Sequence, residues 1–184
     1  MQGPRVGVVI FAAALCVCVP SVPSAAETPE TPPAVTLLAG SYRYAGKWAE
    51  DEAKIQASVE TAISNLGWLG RRVADSRLSS HRKRPTRVVI ARAGDNLSIT
   101  MNDYEAIAPL SGQPRDVIAP NNRDSKLSYK FAADTILQFF AGEHAKRKST
   151  YSLNERGQLV MTVTMTSEKL AGPIEYALVY DRQP

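Results

Sequence analysis

LVMTVTMT, residues 159–166, is the stretch that decides the fold. Leu159, Met161, Val163 and Met165 alternate with Val160, Thr162, Thr164 and Thr166. Successive side chains of an extended chain point to opposite faces, so this is a strand with an apolar face and a mostly polar one. A parallel sheet covered on both sides would show a continuous apolar run instead.

Working outward from this strand, the same pattern recurs between turn signals. Asn154–Gly157 and Leu170–Pro173 flank it, and Lys146–Leu153 and Ile174–Arg182 read as its neighbours. Further upstream come Thr135–Phe140 and a strand carrying Leu127, Tyr129 and Phe131 against Ser128 and Lys130. Weaker pieces bounded by proline lie at 104–108 and 114–119. The Gly94-Asp95-Asn96 turn joins Val88 and Ile90 to Leu97, Ile99 and Met101, a hairpin signal. Short strands with a turn every eight to twelve residues predict a mainly β fold, an antiparallel meander of about 8–10 strands closing into a barrel. Closure would remove the unpaired edges that make long meanders aggregate.

Upstream of Pro85 the period changes. Leu37–Gly46 reads as a first strand with Leu38, Tyr42 and Tyr44 on one face. Ile55, Val59, Ala62, Leu66, Leu69 and Val73 then step by four and three, the stripe of an amphipathic helix. Gly67 and Gly70 each disfavour a helix interior by about 1 kcal/mol relative to alanine. The expectation is a kinked helix or helix pair, at about 49–66 and 70–79, capping one end of the barrel.

The N-terminus speaks to compartment. Arg5 precedes an apolar run, Val6–Val19, followed by Pro20, Pro23 and the small residues Ser24-Ala25-Ala26. This is the order of a secretory signal peptide, with cleavage expected after Ala26 and a secreted or periplasmic location. The run is short against the roughly twenty residues of a membrane-spanning helix. Both cysteines, Cys16 and Cys18, fall inside it, so residues 27–184 would carry neither a disulfide nor a thiol. The Pro-rich stretch 27–36 reads as a flexible leader, with a single domain over 37–184.

In its order of elements the chain resembles the intracellular fatty-acid-binding proteins of the calycin group. LAGSYRYAG (38–46) is similar to their opening Gly-x-Trp strand, with Tyr42 in place of tryptophan, and 148–165 followed by 175–182 is similar to their last three strands. The resemblance implies a lidded barrel that holds a small hydrophobic ligand. The family's Arg-x-Tyr pair on the last strand, which holds a lipid carboxylate, falls here on Leu178 and Tyr180. The signal sequence fits lipocalins better, and small secreted bacterial lipocalin-like proteins are the nearer expectation.

Counting faces from the apolar positions places Tyr42, Tyr44, Tyr129, Tyr151, Tyr176 and Tyr180 inward, six of seven tyrosines. A buried hydroxyl needs a partner, so such an interior implies internal polar contacts or a ligand. With Phe131 and Met161 these tyrosines form the candidate pocket for an apolar or amphipathic molecule. The alternative is a filled barrel.

Charge gives a second lead. The 184 residues carry net +4, yet Arg71, Arg72, Arg77, Arg82, Lys83, Arg84, Arg87 and Arg92 face only Asp75 between 71 and 92. That surface could meet an anionic envelope component, which would make the protein a cell-envelope binding or structural module. Nucleic acid is not expected, since no aromatic-basic recognition motif accompanies the charges. His81 and His144 lack a second ligand at metal spacing, and no nucleophile motif or phosphate loop is present. Glu50, Asp51 and Glu52 suit a helix start without any chemistry. No metal, no cofactor and no catalytic residue is assigned, and a monomer is expected.

Overall fold

The computed structural model describes residues 31–68, 72 and 85–184. Ten strands form one antiparallel sheet: β1 (Gly40–Tyr44), β2 (Arg87–Ala93), β3 (Asn96–Met101), β4 (Tyr104–Pro109), β5 (Arg115–Ile118), β6 (Asp124–Phe131), β7 (Ile136–Ala141), β8 (Lys146–Leu153), β9 (Leu159–Thr166) and β10 (Ile174–Arg182). Neighbours in sequence are neighbours in space, except that β1 pairs with β10 and β4 does not pair with β5. The result is a barrel closed everywhere but at one seam.

β9 shows why. Leu159, Met161, Val163 and Met165 are buried, and each residue between them is at least partly exposed. In register they face Leu153, Tyr151, Ser149 and Arg147 of β8 and Tyr180, Leu178, Tyr176 and Ile174 of β10. A slip of one residue would turn this whole set outward, so burial of one face fixes the pairing.

Among the described residues two helical elements, α1 (Pro33–Leu38) and α2 (Trp48–Ala62), pack on the barrel. α2 follows β1 and buries Ile55, Val59 and Ala62, the first half of the stripe seen in the sequence. Its acidic first turn, Glu50 and Asp51, matches the helix dipole. Leu66 packs against the core, and Trp68 and Arg72 are again helical. The remaining stripe positions, Leu69 and Val73, lie outside the described residues.

α1 corrects the leader reading of 27–36 at residues 33–36, and the reading of 37–46 as one strand at residues 37 and 38; residues 27–30 lie outside the described residues. Its proline start is pre-set for a helix, and Ala34, Val35 and Leu38 are at most 1% exposed. The helix packs against β2 and β8. Its C-terminal carbonyls are taken up by the barrel: Tyr42 donates to Leu38 O at 2.9 Å and Arg182 Nη2 donates to Ala39 O. Gly40, at φ 152°, makes the exit from this helix into β1, and a Cβ there would press on the Arg182 guanidinium at 3.1 Å.

The two helices sit at opposite ends. β10 starts beside α2, where Glu175 N donates to Ser58 Oγ at 2.8 Å, and ends beside α1 at Arg182. Glu175 and Arg182 are seven steps apart along the strand, roughly 23 Å at about 3.3 Å per residue. α2 is therefore a lid and α1 a plug.

Candidate functional site

Under the lid lies a cavity of about 280 Å³. Trp48 and Ile55 of α2 roof it, and Met101 and Tyr104 stand at the β3–β4 turn. Arg147 of β8, Met161 of β9, and Tyr176 and Leu178 of β10 line its barrel side. Of the eight tyrosine, phenylalanine and methionine candidates, Met161 and Tyr176 line this cavity. Tyr42, Tyr129, Tyr151 and Tyr180 are fully buried, and Tyr44 and Phe131 are half-buried against the core.

The buried tyrosines form a floor beneath the cavity. Gln138, itself 0% exposed, stands between two of them: Tyr151 donates to its Oε1 at 2.9 Å, and its Nε2 donates to the Tyr129 hydroxyl at 3.3 Å. Tyr129 passes its own proton to Ala106 O at 2.8 Å. Removal from water disfavours the phenolate, so burial raises all four buried phenols, Tyr42, Tyr129, Tyr151 and Tyr180. Tyr151 reaches about 12 despite the nearby Arg147 charge. Tyr129 and Tyr180 are pushed up further, against the lowering effect of the Gln138 hydrogen bond on Tyr129 and of the Arg147 charge on Tyr180.

Three buried polar atoms have no protein partner among the described residues: Arg147 Nε, Ser149 Oγ and Tyr180 Oη. Ser149 comes close enough to Tyr151 to favour its ionised form, yet meets no partner at hydrogen-bond geometry. Arg147 and Ser149 are consecutive inward positions of β8, opposite Met165 and Val163. Leaving such an atom unpaired costs about 1–3 kcal/mol, and native proteins complete them with water or a ligand.

The lid is held on one side. Tyr44 donates to Asp51 Oδ2 at 2.7 Å, and its ring meets Trp48 and Tyr180 edge to face, with centroids 6.1 and 5.9 Å away. Ala171 N donates to Ala62 O at the other end of α2. These contacts tie α2 to β1 and to the turn between β9 and β10.

Among the lining residues that sequence reasoning left off the candidate pocket are Tyr104 and Arg147. Tyr104 was the tyrosine left off the inner face, yet it borders the cavity, packs against Phe140 at 6.3 Å and donates to Ile118 O at 3.0 Å. Arg147 was hidden in the basic run Lys146-Arg147-Lys148; counting by twos from Tyr151 puts it inside. Of the basic surface, Arg72, Arg87 and Arg92 are exposed. Arg71, Arg77, Arg82, Lys83 and Arg84 lie outside the described residues, as do His81 and residues 1–26. Among the described residues no three His, Cys, Asp or Glu side chains gather as metal ligands.

No family model and no curated protein matches the chain. Solved structures do. The REP1-NXSQ fatty acid transporter is 17% identical with a TM-score of 0.51, covering 80% of this chain and 96% of its own. Lipid binding protein 8 of Caenorhabditis elegans, in its apo form, is 13% identical with a TM-score of 0.51, covering 80% and 96%. The zebrafish ileal bile acid-binding protein complexed with cholic acid is 13% identical with a TM-score of 0.50, covering 80% and 99%. At these identities the likeness is one of fold: a calycin-like barrel with its lid after the first strand.

Proposed function

We propose that this protein binds a small apolar or amphipathic molecule inside its barrel, acting as a carrier or sink and not as an enzyme. The observation that carries the reading is the lidded cavity of about 280 Å³. Its wall is apolar and aromatic with a few polar groups, the make-up of small-molecule sites. That a fatty acid transporter and a bile acid-binding protein share this fold supports it. The N-terminal sequence supports action outside the cytoplasm, on a chain beginning at Glu27.

Two experiments test this. Protein purified under mild conditions is extracted with organic solvent and analysed by mass spectrometry, and titrated with N-phenylnaphthylamine, an uncharged dye that fluoresces in apolar surroundings. A stoichiometric extracted compound or saturable one-to-one dye binding is expected; a protein that yields neither has a filled barrel and overturns the proposal. For the location, N-terminal sequencing of the mature protein from a cell-fractionation experiment is expected to start at Glu27, and a cytoplasmic chain starting at Met1 would refute export.

A further inference from the structure

We propose that Arg147 is the anion anchor of a compact ligand, so that the cavity selects small molecules carrying an oxyanion over long-chain lipids. This rests on the binding reading above and narrows it to a ligand class.

Three observations meet at this arginine. Arg147 points inward on β8 and lines the cavity, although its neighbours in sequence, Lys146 and Lys148, are exposed. Its Nε is buried without a protein partner, and among the described residues no carboxylate pairs with it. Asp103, which also borders the cavity, is exposed at the rim. A guanidinium carries several donors in a planar fork that suits carboxylate, sulfonate or phosphate. A cation facing an apolar cavity without a counter-charge costs free energy, and an anionic ligand would remove that cost.

The last-strand positions point the same way. Leu178 there is apolar and buried, so it offers no charge to a ligand. Tyr180 is sealed within the core and packed against Tyr44. The charge stands instead on β8, one strand beyond β9 and close under the lid. Its field reaches Tyr104, Tyr151 and Tyr180.

Size follows from the floor. Register places Arg147 level with Phe140, then Ser149 with Gln138, then Tyr151 with Ile136. The Tyr129–Gln138–Tyr151 chain occupies the second and third of these layers, and Leu159, Tyr180 and Tyr42 fill the barrel below, all 0% exposed. A volume of about 280 Å³ falls just below the range of roughly 300–1,000 Å³ for ligand pockets. A ligand anchored at Arg147 has the space between the Tyr129–Gln138–Tyr151 chain and the wall formed by Met161, Tyr176 and Leu178 to occupy.

The test uses two dyes of one shape, anilinonaphthalene sulfonate and uncharged N-phenylnaphthylamine, on the wild type, Arg147→Met and Arg147→Lys. A charge-assisted hydrogen bond is worth about 1.5–3 kcal/mol, which is roughly ten- to a hundred-fold in affinity. Arg147→Met is expected to lose that much for the sulfonate and under about two-fold for the neutral dye, with Arg147→Lys recovering part of the loss. Retained neutral-dye binding shows that the variant is folded and the cavity intact. Sulfonate and neutral dye weakened equally, or sulfonate unaffected, overturns the anchor while leaving the binding reading in place. If the wild type takes up neither dye, both fail together. Competition decides size: naphthalene sulfonate is expected to displace the dye at lower concentration than hexadecanoate, and the reverse order refutes a compact ligand.

Discussion

Tyr129 on β6 reaches across the unpaired seam of the barrel and donates its hydroxyl proton to the backbone carbonyl of Ala106 on β4, at 2.8 Å. Tyr104 crosses the same seam in another direction, from β4 to Ile118 O at 3.0 Å. Between strands that share no ladder, side-chain hydroxyls take the role of missing backbone donors.

Removing one of these bridges leaves a buried acceptor unpaired. Tyr129→Phe strips Ala106 O of its donor and Gln138 Nε2 of its acceptor, and a loss of about 1–3 kcal/mol is expected. Urea unfolding checks it: the midpoint should fall with the slope unchanged. Hydrogen exchange should quicken mainly in β4, and exchange raised evenly over all strands would speak against a local bridge.

The plug gives a contrast between adjacent residues. Leu38 is 0% exposed and Leu37 is 43% exposed. Leu38→Ala is expected to cost about 2–5 kcal/mol, and Leu37→Ala within about 0.5 kcal/mol. Equal costs in thermal or urea unfolding would show that α1 is not docked.

Alkaline pH should unfold this protein earlier than an equivalent barrel with a phenylalanine core. Free tyrosine ionises near pH 10, whereas Tyr151 is pushed up to about 12 and Tyr129 and Tyr180 are raised as well. Between those values the unfolded chain has released protons that the folded chain still holds, so stability falls as pH rises. The stabilising contribution is fully present below about pH 10 and declines by about 1.4 kcal/mol per pH unit for each such tyrosine. Urea unfolding at about pH 9 and about pH 11, with phenolate absorbance followed alongside, measures this. Phenolate signal from all tyrosines before any loss of structure would contradict it.

Gly46 controls the fastening of the lid. A Cβ at this position would stand 2.5 Å from both Asp51 Oδ2 and the Tyr44 hydroxyl. Gly46→Ala is therefore expected to break the Tyr44–Asp51 hydrogen bond, which is worth about 1.5–3 kcal/mol when one partner is charged. Dye uptake and release, followed by stopped-flow fluorescence, should both speed up several-fold while affinity changes less. Tyr44→Phe should do the same, and unchanged rates in both would place the slow step elsewhere.

The barrel was legible because its strands obey a period of two that burial enforces. β8 and β10 match the expected bounds. α1 was not legible, since six residues are too few to display a helical period and three prolines in 29–33 mimic a leader. The inner tyrosines were found by the same alternation, but their face alone does not separate floor from cavity wall. That division depends on side-chain hydrogen bonds linking β4, β6, β7 and β8, which alternation within a single strand does not reveal. Arg147 escaped because three successive basic residues look like a solvated run, although strand parity places the middle one inside.

The plug at the far end has a practical meaning. Pro33 opens α1, and Arg182, two residues before Pro184, closes on that same helix. Both routes out of the barrel thus leave from the pole remote from the lid. A support joined through the end of β10, at Arg182, will stand away from the mouth, and the protein can be tethered with its opening turned outward.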